Sequence, residues 1–236
     1  MTGAADEIRL IEGRRVALDA ALSGLVSVGV LAVDDFVVRD DPGLAEALAA
    51  RFAELRARHA GHTPADIREL DEARRLYRAA GVDPTRTRPS SEALLRRALK
   101  EQPPPRVNNA VDACNLASVT FLLPIGLYDR DAVRGDAIVR LGCEGDEHDG
   151  IRKGPVHLAG RLGLFDALGP FGSPSSDSLR TCVLEETRRL LAVVFATASC
   201  APATMRGHLD VLAALLVDHG GGAVTTRAVL GGAAGH

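Results

Sequence analysis

Tryptophan is absent from this 236-residue chain, and aromatic residues make up only 3% of it. A single-strand nucleic-acid binder that stacks bases on exposed rings needs more of them. An excess of one charge is missing too, since 28 basic against 31 acidic residues leave a formal charge of -3. No global basic field draws the chain to nucleic acid, so any RNA contact has to come from a local patch. Cys114, Cys143, Cys182 and Cys200 form no C-x-x-C pair and read as reduced thiols. The start, MTGAADEIRLIEG, lacks a basic segment followed by an apolar run. The apolar stretch from Leu22 to Val33 is too short to cross a bilayer. Together these absences predict a cytoplasmic protein with no membrane partner.

Familiar catalytic signatures are missing as well. There is no G-x-S-x-G elbow and no G-x-G-x-x-G following a strand, and the seven histidines are scattered. His59 and His62 in HAGH read as a solvated helix end. The run CEGDEHDG, Cys143 to Gly150, lacks calcium-loop spacing and reads as an exposed acidic turn. No metal or cofactor is expected.

What is present is a large apolar fraction, 46%, with 25% charged residues, enough for a substantial core and against disorder. LVSVGVLAVDDFVV predicts one or two buried strands. Asp41 and Pro42 open a helix whose Leu44, Leu48, Phe52 and Leu55 recur at helical spacing. Thr63 and Pro64 predict a second helix ending at Gly81, and Ser90 or Ser91 caps a third. Beyond the rigid joint at Pro103–Pro105, VTFLLPIGLYD and DAIVRLG predict strands, and GPVHLAGRLGLFDALGPFG short strands joined by turns. SDSLRTCVLEETRRLLAVVFA predicts a turn and helical stretch ending in the strand LLAVVFA. A last helix runs to Gly220, the GGG and GGAAGH stretches read as flexible ends, and AVTTRAVL predicts an edge strand. Helices first and strands next, without βαβ alternation, predict an α+β fold with a mixed or antiparallel β-sheet core.

Two stretches stand out. In SSEALLRRALK, Arg96 and Arg97 point to faces about 100° apart. One can pair with Glu92 at i, i+4 while the other meets phosphate; a solvated face is the bland alternative. In VNNAVDACN, the polar Asn108, Asn109, Asp112 and Asn115 alternate with apolar residues. Such a pattern suits a pocket that reads a small polar ligand by hydrogen bonds. It suits a buried structural turn equally well, and spacing leaves both open.

Taken in order, RPSSEALLRR, PRVNNAVDACN, LPIGLYDRDAVRGDAIVR and SDSLRT resemble the B3/B4 domain, the module found in the beta subunit of bacterial phenylalanyl-tRNA synthetase and in free-standing proteins. The shared order is P-x-x-N-x-x-V-D-x-x-N, then P-x-x-x-Y-D, then G-x-I-x-x-R with Ala137 in the third place, over roughly Tyr77 to Ala196. The resemblance divides the chain into an N-terminal extension, 1–76, packed on the core, and a B3/B4-like domain with a C-terminal helix, 77–236. It implies a pocket for the amino-acid end of a charged tRNA. Asn115 would be the pocket amide, Asp112 its structural partner and the turn from Leu168 to Ser176 the opposite wall. Asn109, Ser118, Gly126, Ser176, Asp177 and Thr181 would complete the substrate site, and Arg96 and Arg97 would meet RNA. The implied activity is hydrolysis of a mischarged aminoacyl-tRNA ester, with a non-catalytic RNA module or a small-molecule binding protein as the alternatives. Aminoacylation motifs are absent, which excludes a synthetase. The synthetase domain has a histidine two residues before its aromatic–Asp pair, whereas this chain has Gly126, so no mechanism through that imidazole applies.

Overall fold

The structure, a computed structural model, describes residues 6–10, 12–151 and 154–232. Its strands are β1 (Asp6–Arg9), β2 (Arg15–Leu18), β3 (Val26–Asp34), β4 (Ile125–Asp129), β5 (Ala137–Leu141), β6 (Glu147–Asp149), β7 (Pro155–His157), β8 (Leu162–Asp166), β9 (Gly169–Ser173), β10 (Ser176–Asp177), β11 (Leu190–Thr197) and β12 (Ala223–Gly231). Its α-helices are α1 (Pro42–Arg58), α2 (Asp71–Ala79), α3 (Ser90–Leu99), α4 (Asn109–Phe121) and α5 (Pro202–Gly220). The fold is α+β, as the element order predicts.

A four-stranded antiparallel sheet, ordered β12-β3-β11-β4, forms the middle layer. Alternate residues of its strands face opposite ways. Leu31, Val33, Val194 and Ala196 pack against Ala113 and Ala117 of α4 and Leu209, Leu212 and Leu216 of α5. Val28, Val30, Val193 and Phe195 pack against Val16, Val139, Leu164 and Phe171 of a second sheet. That sheet is ordered β1-β2-β5-β8-β9-β10; β2 and β5 run parallel, and its other pairs are antiparallel. With both faces covered, β3 has no polar side, so from Val28 to Val33 its sequence is a continuous apolar run rather than an alternation. The strand lies within the first 76 residues yet sits between two C-terminal strands.

Several local expectations need correction. The segment after Thr63 is not one helix. Thr63 and Asp66 close a capping box around a 3₁₀ turn, a second turn spans Arg68–Leu70, and α2 begins only at Asp71. Val119–Phe121 finish α4 rather than starting a strand. Leu122 turns left-handed at φ 56°, Pro124 cannot continue a helix, and the strand starts at Ile125. SDSLRT does open with a turn, the 3₁₀ turn Leu179–Thr181, but no helical stretch follows it before β11. His59 is buried at the C-cap of α1, not solvated. The glycines at 220–222 are not a loose end: Gly220 closes α5, where a Cβ would come 2.0 Å from Phe36, and Gly222 leads into β12, where one would come 2.1 Å from the Asp34 carbonyl. Most of the second glycine stretch, 233–236, lies outside the described residues. Among the described residues no helix is long and apolar enough to cross a membrane.

Candidate functional site

Strand β4 lies at an edge of its sheet, where every second backbone N–H lacks a strand partner. Asp177 on β10 takes one of them, its Oδ2 accepting from the Leu127 N–H at 3.4 Å. Its Oδ1 is buried without a hydrogen-bond partner. The neighbouring Tyr128 hydroxyl is likewise buried, and it lies close enough to the carboxylate for each to influence the other's titration. Burial pushes the Asp177 carboxyl up to about 7, restrained by the nearby hydroxyl and the Leu127 N–H. Burial, reinforced by that carboxylate, lifts the Tyr128 phenol well above its ordinary value. A carboxyl balanced near neutrality is unusual in a structural role and common at functional sites.

A cavity of about 490 Å³ lies against this edge, between α3, α4, β4 and the chain following β10. Leu94, Val111, Ile125, Leu127 and Val183 give it apolar walls, and Ser90, Asn115, Ser118 and Asp177 supply its polar groups, along with two thiols. The Ser118 hydroxyl is committed to the Leu123 carbonyl at 2.7 Å. Among the described residues the Asn115 amide has no partner, so it offers a donor and an acceptor to a ligand. Cys114 and Cys182 also line the cavity, but burial raises both thiols and leaves no thiolate for nucleophilic attack. A smaller cavity of about 220 Å³ shares Ser90, Ile125, Ile151 and Asp177, and adds Ser173, Ser175 and Ser176.

The sequence-derived candidates separate into two groups. Asn115, Ser118, Ser176 and Asp177 line these cavities. Asp112, Asn109, Gly126 and Thr181 do not. Asp112 is buried, accepting from the Val107 N–H at 3.1 Å and from Arg106 Nε at 3.0 Å. Asn109 is fully buried and ties three segments together. Its Nδ2 donates to the carbonyls of Val37 and His219, and its Oδ1 accepts from the Arg39 N–H, each at 2.9 Å. Asn108 is the N-cap of α4, accepting from the Val111 N–H at 3.0 Å. Thr181 donates to the Phe171 carbonyl at 3.2 Å. Gly126 makes room for the ring of Tyr128. In the expected opposite wall, Ser173 to Ser176 contribute while Leu168 is 66% exposed elsewhere.

The arginine pair diverges as helical geometry requires. Arg96 Nε donates to Glu92 at 2.9 Å, an i, i+4 pair, and Arg97 donates to the Pro103 carbonyl. Ser90 does not cap α3; it sits one turn before Leu94 and faces the cavity with it. The cavity roles of Ser90 and the two thiols escaped sequence reasoning, and no local signal marks them.

A family model described as the B3/4 domain matches residues 72–211, a span that holds every cavity residue named above. No curated protein matches the chain. Among solved structures, an N-terminal fragment of the phenylalanyl-tRNA synthetase beta-subunit from Pyrococcus horikoshii is similar at 11% identity with a TM-score of 0.42. The likeness covers 91% of this chain and 49% of that one, so the chain spans about half of its length.

Proposed function

The chain belongs to the B3/4 domain family, and on that premise we propose that it binds the aminoacylated 3′ end of a tRNA and hydrolyses a mischarged ester in trans. The observation that carries this reading is the Asp177 carboxyl set in an apolar cavity that also holds the unpaired Asn115 amide, where burial pushes the carboxyl up to about 7. The apolar walls take the amino-acid side chain, and Asn115 holds a polar atom near the ester. Ionised Asp177 accepts a proton from water as the water oxygen bonds to the carbonyl carbon. The carbon–oxygen bond to the ribose then breaks, and the ribose oxygen leaves with that proton. A base titrating near the working pH is well matched to this step, and positioning lowers the barrier for an ester already activated. Residues 1–76 serve in this reading as the extension that supplies the central strand behind the cavity.

The test is a panel of mischarged tRNAs incubated with the protein. Hydrolysis of at least one above buffer, lost in Asp177→Asn, is expected; no hydrolysis on any of them overturns the enzyme reading. A second reading, a small-ligand binding protein without RNA, is favoured by one observation. Two arginines near the cavity are already tied to carboxylates, Arg96 to Glu92 and Arg106 to Asp112 and Asp40. Filter binding of tRNA separates the two.

A further inference from the structure

The serine-lined cavity borders a third, narrower cleft. The two share Ser173 and Ser175, and the cleft adds Tyr77, Thr87 and Arg161 among apolar residues. Tyr77 and Ser175 hold each other through their hydroxyls at 2.5 Å, which fixes this common wall. Arg161 is partly buried, and among the described residues its guanidinium has neither a hydrogen bond nor a carboxylate partner. Among the partly buried arginines that is unusual: Arg14, Arg51, Arg74, Arg96, Arg140 and Arg180 all pair with acids. The nearby acid, Glu92, is buried and already held by Arg74 and Arg96, so it leaves Arg161 uncompensated.

The apolar chamber, the section lined by hydroxyls and the Asp177 carboxylate, and the cleft with the unpaired arginine thus lie in series, each sharing residues with the next. We infer, resting on the reading of the main cavity given above, that the substrate lies along this line and that Arg161 binds the phosphate joined to the terminal nucleoside. An arginine left without an acid, beside hydroxyls, presents forked donors that match phosphate oxygens. The ribose occupies the serine-lined section, where the Ser90 and Ser176 hydroxyls have no partner among the described residues. The acyl side chain occupies the apolar chamber. The phosphate contact therefore sits on the β8 side of the cavity, away from the arginine pair of α3.

The probes are two non-hydrolysable analogues, leucylamino-adenosine with and without a 5′-phosphate, titrated calorimetrically. Wild type should bind the phosphorylated analogue roughly tenfold tighter or more, and Arg161→Gln should bind both alike. Arg161→Lys, which keeps the charge and loses the fork, should fall between them. If wild type binds both equally, or if Arg161→Gln keeps the preference, Arg161 is not the phosphate contact while the reading of the cavity stands. If wild type binds neither, that reading fails and takes this inference with it. Because the wild-type comparison needs no substitution, a variant that fails to fold does not rescue the inference.

Discussion

The ring of Tyr128 folds back over Gly126, so that a Cβ on residue 126 would stand 2.0 Å from the phenol oxygen. Gly172 approaches the same hydroxyl from the second sheet, where a Cβ would stand at 2.2 Å. Phe171 meets the ring edge-on at 4.9 Å. The tyrosine fills the space that a side chain at 126 would need. Gly126→Ala should therefore destabilise the fold by about 1–3 kcal/mol or more through overpacking. Tyr128→Leu should absorb most of that cost in the double variant. Denaturant midpoints for the four proteins check this, and additive penalties would refute it.

Asp177 makes stability depend on pH. Its folded carboxyl titrates at about 7, above the ordinary 3.8, so the folded state holds the proton more tightly than the unfolded chain. The contribution is fully present below the unfolded value and is lost as pH rises, completely so above about 7. Asp177→Asn should remove this slope and gain on wild type by up to about 4 kcal/mol between pH 4 and pH 8, less where solvent entering the cavity screens the charge. Parallel melting curves across that range would show that the carboxyl is not held in its neutral form. Deacylation by wild type should rise through the same pH window.

Asp112 organises the start of α4. Its two oxygens satisfy the Val107 N–H and Arg106, and removing them leaves a buried donor unpaired. Asp112→Ala should cost about 1–3 kcal/mol and lower the melting temperature together with any activity. Abolished turnover at unchanged stability would assign it to the chemistry instead.

Arg96 and Arg97 should differ in their salt response. Arg96 is spent on Glu92, whereas Arg97 meets only a carbonyl and keeps its charge available. The log–log slope of tRNA affinity against salt should flatten by about 0.7–0.9 for Arg97→Ala and stay at the parent value for Arg96→Ala. Equal flattening in both would mean that the Glu92 pair opens on binding.

Much of the helical framework was legible because caps act locally. Asp41 accepts the Leu44 N–H at 2.9 Å, as Asp-Pro before a periodic segment predicts. The polar stretch at the start of α4 was legible as unusual but not as divided. Asn109, Asp112 and Asn115 look alike in sequence, yet the first is consumed by backbone groups 72 and 110 positions away, and the last faces a cavity. Asp177 was placed in the site by resemblance, but its raised pKa comes from burial against β4, a tertiary effect with no local trace. The parallel pairing of β2 with β5 joins strands far apart in the chain, which no periodicity encodes.

The position of β3 bears on how the chain is made. Its two partners, β11 and β12, are synthesised long after it, 156 positions separating Asp34 from Leu190. At ribosomal speed that is roughly 10–30 s during which an apolar strand with two open edges has no neighbour. Such a segment invites pairing with other nascent chains, so yield in a cell should depend on whatever shields residues 26–34 during translation. Slowing elongation between the codons for Asp34 and Leu190 should increase aggregation, even though the finished protein is unchanged.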